Sequence, residues 1–227
     1  MPITYPRSIP GFASAAEGDL QLQHLTTGSR TRGGSMTVTD MADPFWELSW
    51  RTKSLTSTQR NELSAWWASL RGGGKTFLAY HPDAKWPSAY ALESQVASLT
   101  RAGGGAFDGT ASITSFPDAR TIAMSSAGAS RLPVGFQVSA GDMVGIVKAG
   151  TPNRYSLHRV VEAATADGTG QILALLVEPF ILTSVFAAGN TLNFVRALGE
   201  FVPDQSKWQG GFSPNPMPMA FGGNSRV

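Results

Sequence analysis

A glycine-rich run at 72–76 is the first of the few segments whose residue types and spacing suggest chemistry. Its sequence, G-G-G-K-T, matches the end of a phosphate-binding loop of the form G-x-x-x-x-G-K-[ST]. That loop requires a glycine five residues before Gly74, where this chain has Ser69. It also joins a strand to a following helix, whereas here a predicted helix precedes the glycines and a predicted strand follows them. We therefore expect a turn here and no nucleotide site.

The histidines and cysteines give no metal pattern. His24, His81 and His158 have no spacing of the H-x-x-x-H type, and the chain contains no cysteine. Disulfides, thiolate metal ligands and thiol nucleophiles are therefore excluded. His24 and His158 lie in strand-like runs, where a hydrogen-bonded histidine with a structural role is the usual outcome. A catalytic triad assembled from His158 and distant residues stays open as an alternative.

Carboxylates are sparse as well. The closest acidic pairs, Glu17 with Asp19 and Asp40 with Asp43, lie in segments typical of turns or strand entries. A glycosidase needs two carboxyl groups that converge in a cleft, and no serine stands in a G-x-S-x-G elbow. We predict no catalytic, cofactor-binding or metal-binding residues, and no enzymatic activity.

Composition narrows the class of protein further. Of the 227 residues, 42% are hydrophobic and only 15% are charged, against about 25% charged in typical soluble domains. The net charge is +2 and no window concentrates lysine or arginine, so nucleic-acid binding has little support. Prolines interrupt the N-terminal segment, and no apolar run approaches the about 18 residues of a membrane span. We expect a soluble chain that is made in the cytoplasm.

The first hundred residues predict strands around one helix. Residues 1–18 are spaced by prolines and suggest an irregular arm, and 26–34 suggests a turn-rich loop. Leu20 with Leu22, Met36 with Val38, and Trp46 with Leu48 and Trp50 alternate with polar residues, which is typical of strands. The segment 75–80 predicts another strand.

The helix has clear start and stop signals. Thr56 and Gln59 have the spacing of a capping box, and three glycines follow the predicted helix at 72–74. Leu63, Trp66, Trp67 and Leu70 recur at i, i+3, i+4 and i+7, so they form one apolar face. We expect this face to pack against the sheet.

The second half contains short apolar runs that are separated by glycine, asparagine and aspartate turns, which favours a compact barrel or sandwich. The tail from Pro203 is rich in proline and glycine and is expected to be extended. Trp208 and Phe212 within it are candidate anchors, either in a groove of a partner or as a latch within the same chain.

Two stretches carry a resemblance to a known family. The segment 46–80, from W-E-L-S-W to G-G-G-K-T-F-L-A-Y, resembles the N-terminal unit of minor tail and distal tail proteins of long-tailed bacteriophages. A second stretch begins at Leu132 with L-P-V-G-F-Q-V-S-A-G-D-M-V and continues through Y-S-L-H-R-V-V-E to V-E-P-F. It is similar to a phage tail segment that has a G-D turn, an L-h-R-V strand and a strand ended by proline.

The resemblance implies a mainly β fold, namely a β-sandwich with one packed α-helix plus a second, small β-barrel-like domain. We expect an N-terminal arm at 1–18, a ring-forming sandwich at 19–100 that 190–227 completes, a barrel-like domain at 110–200, and a proline- and glycine-rich segment at 203–227. The family pattern contains no catalytic residues.

The same resemblance implies a structural virion protein at the tail tip. Family members form rings, usually hexamers, that join the tail tube to the baseplate hub. The expected partners are therefore copies of this chain, a tail tube protein and a baseplate hub protein. Two alternatives stay open, a carbohydrate- or receptor-binding module of the tail tip and a hydrolase of cell-wall polymers. The low charged fraction fits a subunit whose surface is shared with neighbours.

Overall fold

The computed structural model describes residues 3–30, 32–124, 131–210 and 217–225. In these ranges the chain folds into strands in two large sheets and two small pairs, with one long helix and one short helix. The predicted mainly β fold with a packed helix is confirmed.

The first part of the chain contains these elements: β1 (Arg7–Ser8), β2 (Ala15–Gln23), β3 (Thr26–Arg30), β4 (Met36–Asp40), β5 (Phe45–Thr52), α1 (Ser57–Ser69), β6 (Phe77–Ala79) and α2 (Glu93–Ala97). The second part contains these: β7 (Thr110–Ser112), β8 (Ser115–Asp118), β9 (Thr121–Met124), β10 (Gln137–Val138), β11 (Met143–Lys148), β12 (Arg154–Val160), β13 (Ala164–Thr165), β14 (Ile172–Glu178), β15 (Thr191–Asn193), β16 (Gly199–Pro203) and β17 (Ala220–Ser225).

The first large sheet has six strands in the order β1-β6-β16-β17-β5-β2. Only the β1–β6 pair is parallel; the other pairs are antiparallel. The sheet therefore combines strands from both ends of the chain. On β5, Trp46, Leu48 and Trp50 alternate with polar residues and are at most 1% exposed, because they form one core cluster with the face of α1.

Helix α1 begins and ends for local reasons. The Thr56 hydroxyl accepts a hydrogen bond from the Gln59 backbone N–H at 3.3 Å, and the Gln59 side chain accepts one from the Thr56 N–H at 3.0 Å. This confirms the predicted capping box. After the C-cap Leu70, the first left-handed residue is Arg71, with φ 53°, and Gly72 follows with φ 61°. The turn thus begins one residue before the glycine run that was expected to form it.

The second large sheet has the order β7-β15-β11-β12-β14-β9-β8. Its two edge strands, β7 and β8, are separated only by Ile113 and Thr114. The Ile113 N–H donates to Asn190 O at 2.9 Å on one side, and the Thr114 N–H donates to Ala123 O at 2.8 Å on the other. The sheet therefore curls until both ends meet in the segment 110–118, around a core that includes Val144.

The two large sheets contact each other through β12 on one side and through β5 and β16 on the other. The Trp46 indole N–H donates to Leu157 O at 2.7 Å, and the Arg159 guanidinium lies over the Trp46 ring at 5.1 Å. Gly199 fits against Leu157 so closely that a Cβ there would meet the leucine Cβ at 3.0 Å. These contacts fix the two sheets against each other.

One local expectation, the loop at 26–34, was wrong, and two other segments contain strands that the local sequence patterns did not indicate. The predicted loop at 26–34 contains β3, which pairs with β4. The predicted arm at 1–18 includes β1 and the start of β2 in its described part. The proline- and glycine-rich tail contributes β17, which lies between β16 and β5 in the sheet. In each case a tertiary pairing partner overrides the local turn preference of the sequence.

Candidate assembly interface

Strands β3 and β4, here called the exposed hairpin, pair with each other and belong to neither large sheet. Every residue of both strands is exposed. A two-stranded hairpin without further packing is only marginally stable in water. The exposed hairpin is therefore a surface that gains stability when another surface covers it.

The exposed hairpin has two chemically different faces. Because side chains alternate along a strand and Gly28 lies opposite Val38 in the register, Met36 and Val38 share one face. A Cβ at Gly28 would meet the Met36 methyl at 2.7 Å, so the methionine lies across the glycine on this face. The opposite face has only hydroxyl side chains, from Thr27, Ser29, Thr37 and Thr39. By the same register, the face with Met36 and Val38 also carries Thr26, Arg30 and Asp40, so its centre is apolar and its ends are polar or charged.

Large apolar side chains are concentrated at this hairpin. Met36 is 65% exposed and Val38 57%, while Leu25 and Met41 at the base are 50% and 71% exposed. Leu25 and Met41 lie opposite each other one residue beyond the Thr26–Asp40 pair, so alternation directs them to the other face. Exposed apolar side chains therefore occur on both faces of the hairpin and its base, and such a concentration is typical of an interaction site.

The base of the hairpin is firmly anchored. Strand β3 continues β2 and β4 leads into β5, and the Met41 N–H donates to Leu25 O at 2.7 Å between the two halves. Strands β2 and β5 pair along their length up to Gln23 and Phe45. The exposed hairpin is thus the outer half of a long hairpin whose inner half belongs to the six-stranded sheet, so a rigid element positions it.

Sequence reasoning found β4 and missed β3. Thr26, Gly28 and Ser29 have turn preferences, which predicted a loop. The missed signal was the segment T-T-G-S-R, which precedes a glycine-containing turn and the alternating M-T-V-T-D. These are the elements of a hairpin.

The predicted helix face lies inside the molecule. Leu63, Trp66, Trp67 and Leu70 are all buried in the core between α1 and the six-stranded sheet. The Trp66 indole donates to Ser8 O at 3.0 Å, which ties the N-terminal segment to the helix. These residues support the sheet that carries the exposed hairpin, and none of them is available to a partner.

Trp208 is a latch within the chain. Its ring stacks on Trp67 with a centroid distance of 5.0 Å and an interplanar angle of 9°, and the side chain is partly buried. Of the two roles open for Trp208, the structure favours the internal one. Phe212, the other candidate anchor, lies outside the described residues.

A serine and a histidine meet on β12. Ser156 Oγ lies 2.8 Å from His158 Nε2, and His158 Nδ1 lies 2.8 Å from Pro179 O. A carbonyl oxygen only accepts, so Nδ1 carries the proton and Nε2 accepts from the serine hydroxyl. Burial lowers the pKa of His158 to about 4. A base of that pKa accepts a proton poorly at neutral pH, so the arrangement acts as a cross-link to Pro179.

Asp142 and Glu200 are buried, where Asp142 accepts from the Ser88 backbone N–H at 2.9 Å and Glu200 accepts from the Thr76 hydroxyl at 2.7 Å. Other carboxylates close turns or form single surface pairs. Glu17 pairs with Arg51 at 3.3 Å. Asp118 accepts from the Arg120 backbone N–H at 2.7 Å, and this bond is the main reason that its pKa is lowered. Among the side chains that the structure describes, no group of three or more histidines, aspartates or glutamates could hold a metal ion.

Aromatic rings bear on the carbohydrate-binding alternative. Stacking on a sugar requires an exposed ring. Within the described ranges, every phenylalanine, tyrosine and tryptophan is buried or partly buried, and the exposed large apolar side chains are all aliphatic. The observation that would favour a glycan platform is therefore missing from this part of the chain.

Because the comparisons with known proteins found no match, the exposed hairpin is the main structural indication of function. In the described part of the chain, no helix is both long enough and apolar enough to cross a membrane. In comparisons with known proteins, no protein-family model matched the chain and no curated protein matched its sequence.

Proposed function

We propose that this chain is a structural virion protein, a distal tail protein at the tip of a phage or phage-like tail. Copies of it form a ring, with six as the expected number, between the tail tube and the baseplate hub. The exposed hairpin carries this proposal, because it offers exposed apolar side chains on an anchored base, which is typical of an interaction site. The resemblance of segments 46–80 and 132–180 to phage tail proteins supports the same role.

The internal construction also suits a ring subunit. The helix face and Trp208 are used to hold the six-stranded sheet together, so the hairpin projects from a stiff base. A stiff base fixes where the hairpin projects, so docking orders less of the chain than it would for a loosely attached segment. The low charged fraction of 15% agrees with a subunit that shares much of its surface with neighbours.

The alternative function is a carbohydrate- or receptor-binding module of the tail tip. It has less support, because the described aromatic rings are not exposed. A glycan array with the purified chain tests it, and specific glycan binding by a monomer would favour it over the ring.

Mass photometry and negative-stain microscopy of the purified chain test the ring. We expect closed rings whose mass is a small multiple of the 24.0 kDa chain, with six copies as the expected number. A triple variant with Met36, Val38 and Met41 each changed to Ser should lose the rings while it stays folded, because all three side chains are exposed.

The matched control is Leu92→Ser. Leu92 is 59% exposed and is the N-cap residue of α2, so it is not part of the hairpin and rings should persist. A native chain that stays monomeric at high concentration contradicts the proposal, and so does a ring that survives the triple variant unchanged.

A further inference from the structure

A cleft of about 280 Å³, here called the base cleft, lies where the base of the exposed hairpin meets the second large sheet. Leu25, Met41 and Pro44 line it from the hairpin side, and Phe180, which follows β14, lines it from the other side. Leu25 and Met41 are 50% and 71% exposed, whereas Pro44 and Phe180 are partly buried. The base cleft therefore has apolar walls that are open to solvent.

The size of the base cleft limits what it can hold. Pockets for cofactors and other small-molecule ligands have volumes of about 300–1,000 Å³, and the base cleft lies just below that range. It also opens beside exposed apolar side chains of the hairpin, which are typical of an interaction site. These properties suit a single long side chain that a partner protein projects into the cleft.

Two acidic residues lie beside the apolar walls. Asp40 and Asp43 line the base cleft and are exposed. Among the described residues, neither of them forms an ion pair. Arg120 also lines the cleft, but its guanidinium already pairs with Glu178 at 2.9 Å. The fourth titratable residue that lines the cleft is His24. The cleft thus offers two carboxylates to a cation from outside.

The hairpin's own Arg30 lies far from these carboxylates. It shares a strand face with Asp40, but four residues separate it from Thr26, which lies opposite Asp40 in the register. That spacing corresponds to about 13 Å of extended chain, which exceeds the screening length of about 8 Å at physiological salt. The acidic base of the hairpin therefore remains available to a cation of another molecule.

An arginine side chain matches both properties of the base cleft. Its stem is aliphatic and its head is charged, so the stem suits contact with Leu25 and Met41 while the head reaches the aspartates. A guanidinium forms two parallel hydrogen bonds with one carboxylate, and it is also attracted to aromatic rings such as that of Phe180. Arginine therefore fits better than lysine, whose ammonium is a compact point charge.

We propose that the base cleft binds an arginine side chain from a basic segment of a partner protein. The stem of that arginine packs against Leu25 and Met41, and its guanidinium pairs with Asp40 and Asp43. This inference rests on the proposed function, because it gives the chemistry of a neighbour that the exposed hairpin meets in the assembly.

Methyl NMR on the full chain tests the base cleft. The chain is labelled with ¹³C-methyl methionine and titrated with the peptide acetyl-Leu-Arg-Leu-amide. Met41 lines the cleft and Met36 does not, so we expect a saturable shift of the Met41 methyl signal and little change at Met36. The matched control peptide has citrulline, which has the shape of arginine without its charge, and it should bind severalfold more weakly.

Charge removal gives a second readout. The double variant Asp40→Asn/Asp43→Asn should bind the arginine peptide severalfold more weakly than the native chain, because both carboxylates that face the guanidinium are lost. It should bind the citrulline peptide as the native chain does. The matched control is Glu62→Gln/Glu162→Gln, which removes two negative charges from exposed residues that do not line the base cleft, and it should leave the binding of the arginine peptide unchanged.

The outcomes separate this inference from the proposed function. Equal binding of the two peptides overturns the inference, and so does unchanged binding of the arginine peptide by Asp40→Asn/Asp43→Asn. Rings that form without an arginine-dependent shift at Met41 overturn the inference and leave the proposed function intact. An arginine-dependent shift in a chain that stays monomeric supports the base cleft and contradicts the ring.

Discussion

The inner and outer halves of one long hairpin have the same alternating pattern and opposite surroundings. On the inner half, Trp46, Leu48 and Trp50 alternate along β5 and are buried in the core cluster that also contains the face of α1 and Leu157 of β12. On the outer half, Met36 and Val38 alternate along β4 and remain exposed. Alternation of this kind determines that a strand forms and which residues share a face. What covers that face depends on another element, and among the described residues no element covers the outer half.

Substitutions in the core that covers the inner half should lower the free energy of unfolding the most. Trp66→Ala, in helix α1, should have the largest effect. Trp66 is 3% exposed and hydrogen-bonds to Ser8 O. Loss of a buried tryptophan side chain leaves a cavity, so we expect the free energy of unfolding to fall by about 3–5 kcal/mol. Urea denaturation followed by tryptophan fluorescence measures this change.

Met36→Ala is the matched control on the outer half. Its side chain is 65% exposed, so the free energy of unfolding of the monomer should stay nearly constant. A Trp66→Ala variant of native stability would contradict the buried position of the helix face.

A fall in pH should lower the free energy of unfolding, because His158 is buried in its neutral form. Burial lowers the pKa of His158 to about 4, whereas the unfolded chain titrates near 6.5. The contribution of the buried, neutral His158 to the free energy of unfolding is therefore fully present above pH 6.5. It is lost as the pH falls toward 4, because only the unfolded state takes up the proton. Between pH 7 and pH 5 we expect the free energy of unfolding to fall by about 2 kcal/mol.

Urea titrations of the native chain and of His158→Gln at both pH values measure that loss. The variant lacks the titrating group, so its stability should depend less on pH, although its stability at pH 7 is lower. His24→Gln is the control: His24 is exposed, and its removal should leave the pH dependence unchanged. Parallel pH profiles for native chain and His158→Gln would rule out the buried neutral histidine as the cause.

The sequence predicted the elements whose signals are local. Three such signals are each contained within one helix or one strand, so they could be found without knowledge of the fold. They are the capping box at Thr56, the helical face through Trp66 and the alternation of β5. The pairing of β17 between β5 and β16 could not, because it joins residues that are more than 150 positions apart.

The candidate interface was harder to predict for a related reason. The segment T-T-G-S-R has the residue preferences of a loop, and only its pairing with β4 makes it a strand. Exposure is also a property of the whole fold. Leu48 and Val38 both alternate with polar neighbours in their strands, but Leu48 lies in a sheet and core cluster built from several elements, whereas β4 pairs with β3 alone.

A moderate effect is expected at the start of α1, which supports the inner half. Thr56→Ala removes the hydroxyl that accepts from the Gln59 N–H, and we expect the free energy of unfolding to fall by about 1 kcal/mol. Thr56→Ser keeps the hydroxyl and should stay close to the native value. Equal loss in both variants, measured by thermal denaturation, would show that the methyl group matters and the cap does not.

The smallest effect on the monomer should come from Val38→Ala, on the outer half. Val38 is 57% exposed, so the free energy of unfolding of the isolated chain should change by no more than about 0.5 kcal/mol. Its effect should instead appear in assembly, as a smaller ring fraction at a given concentration than for Thr37→Ala on the opposite face. A clear loss of monomer stability would mean that the exposed hairpin already packs within its own chain, and the contrast between the two halves would then disappear.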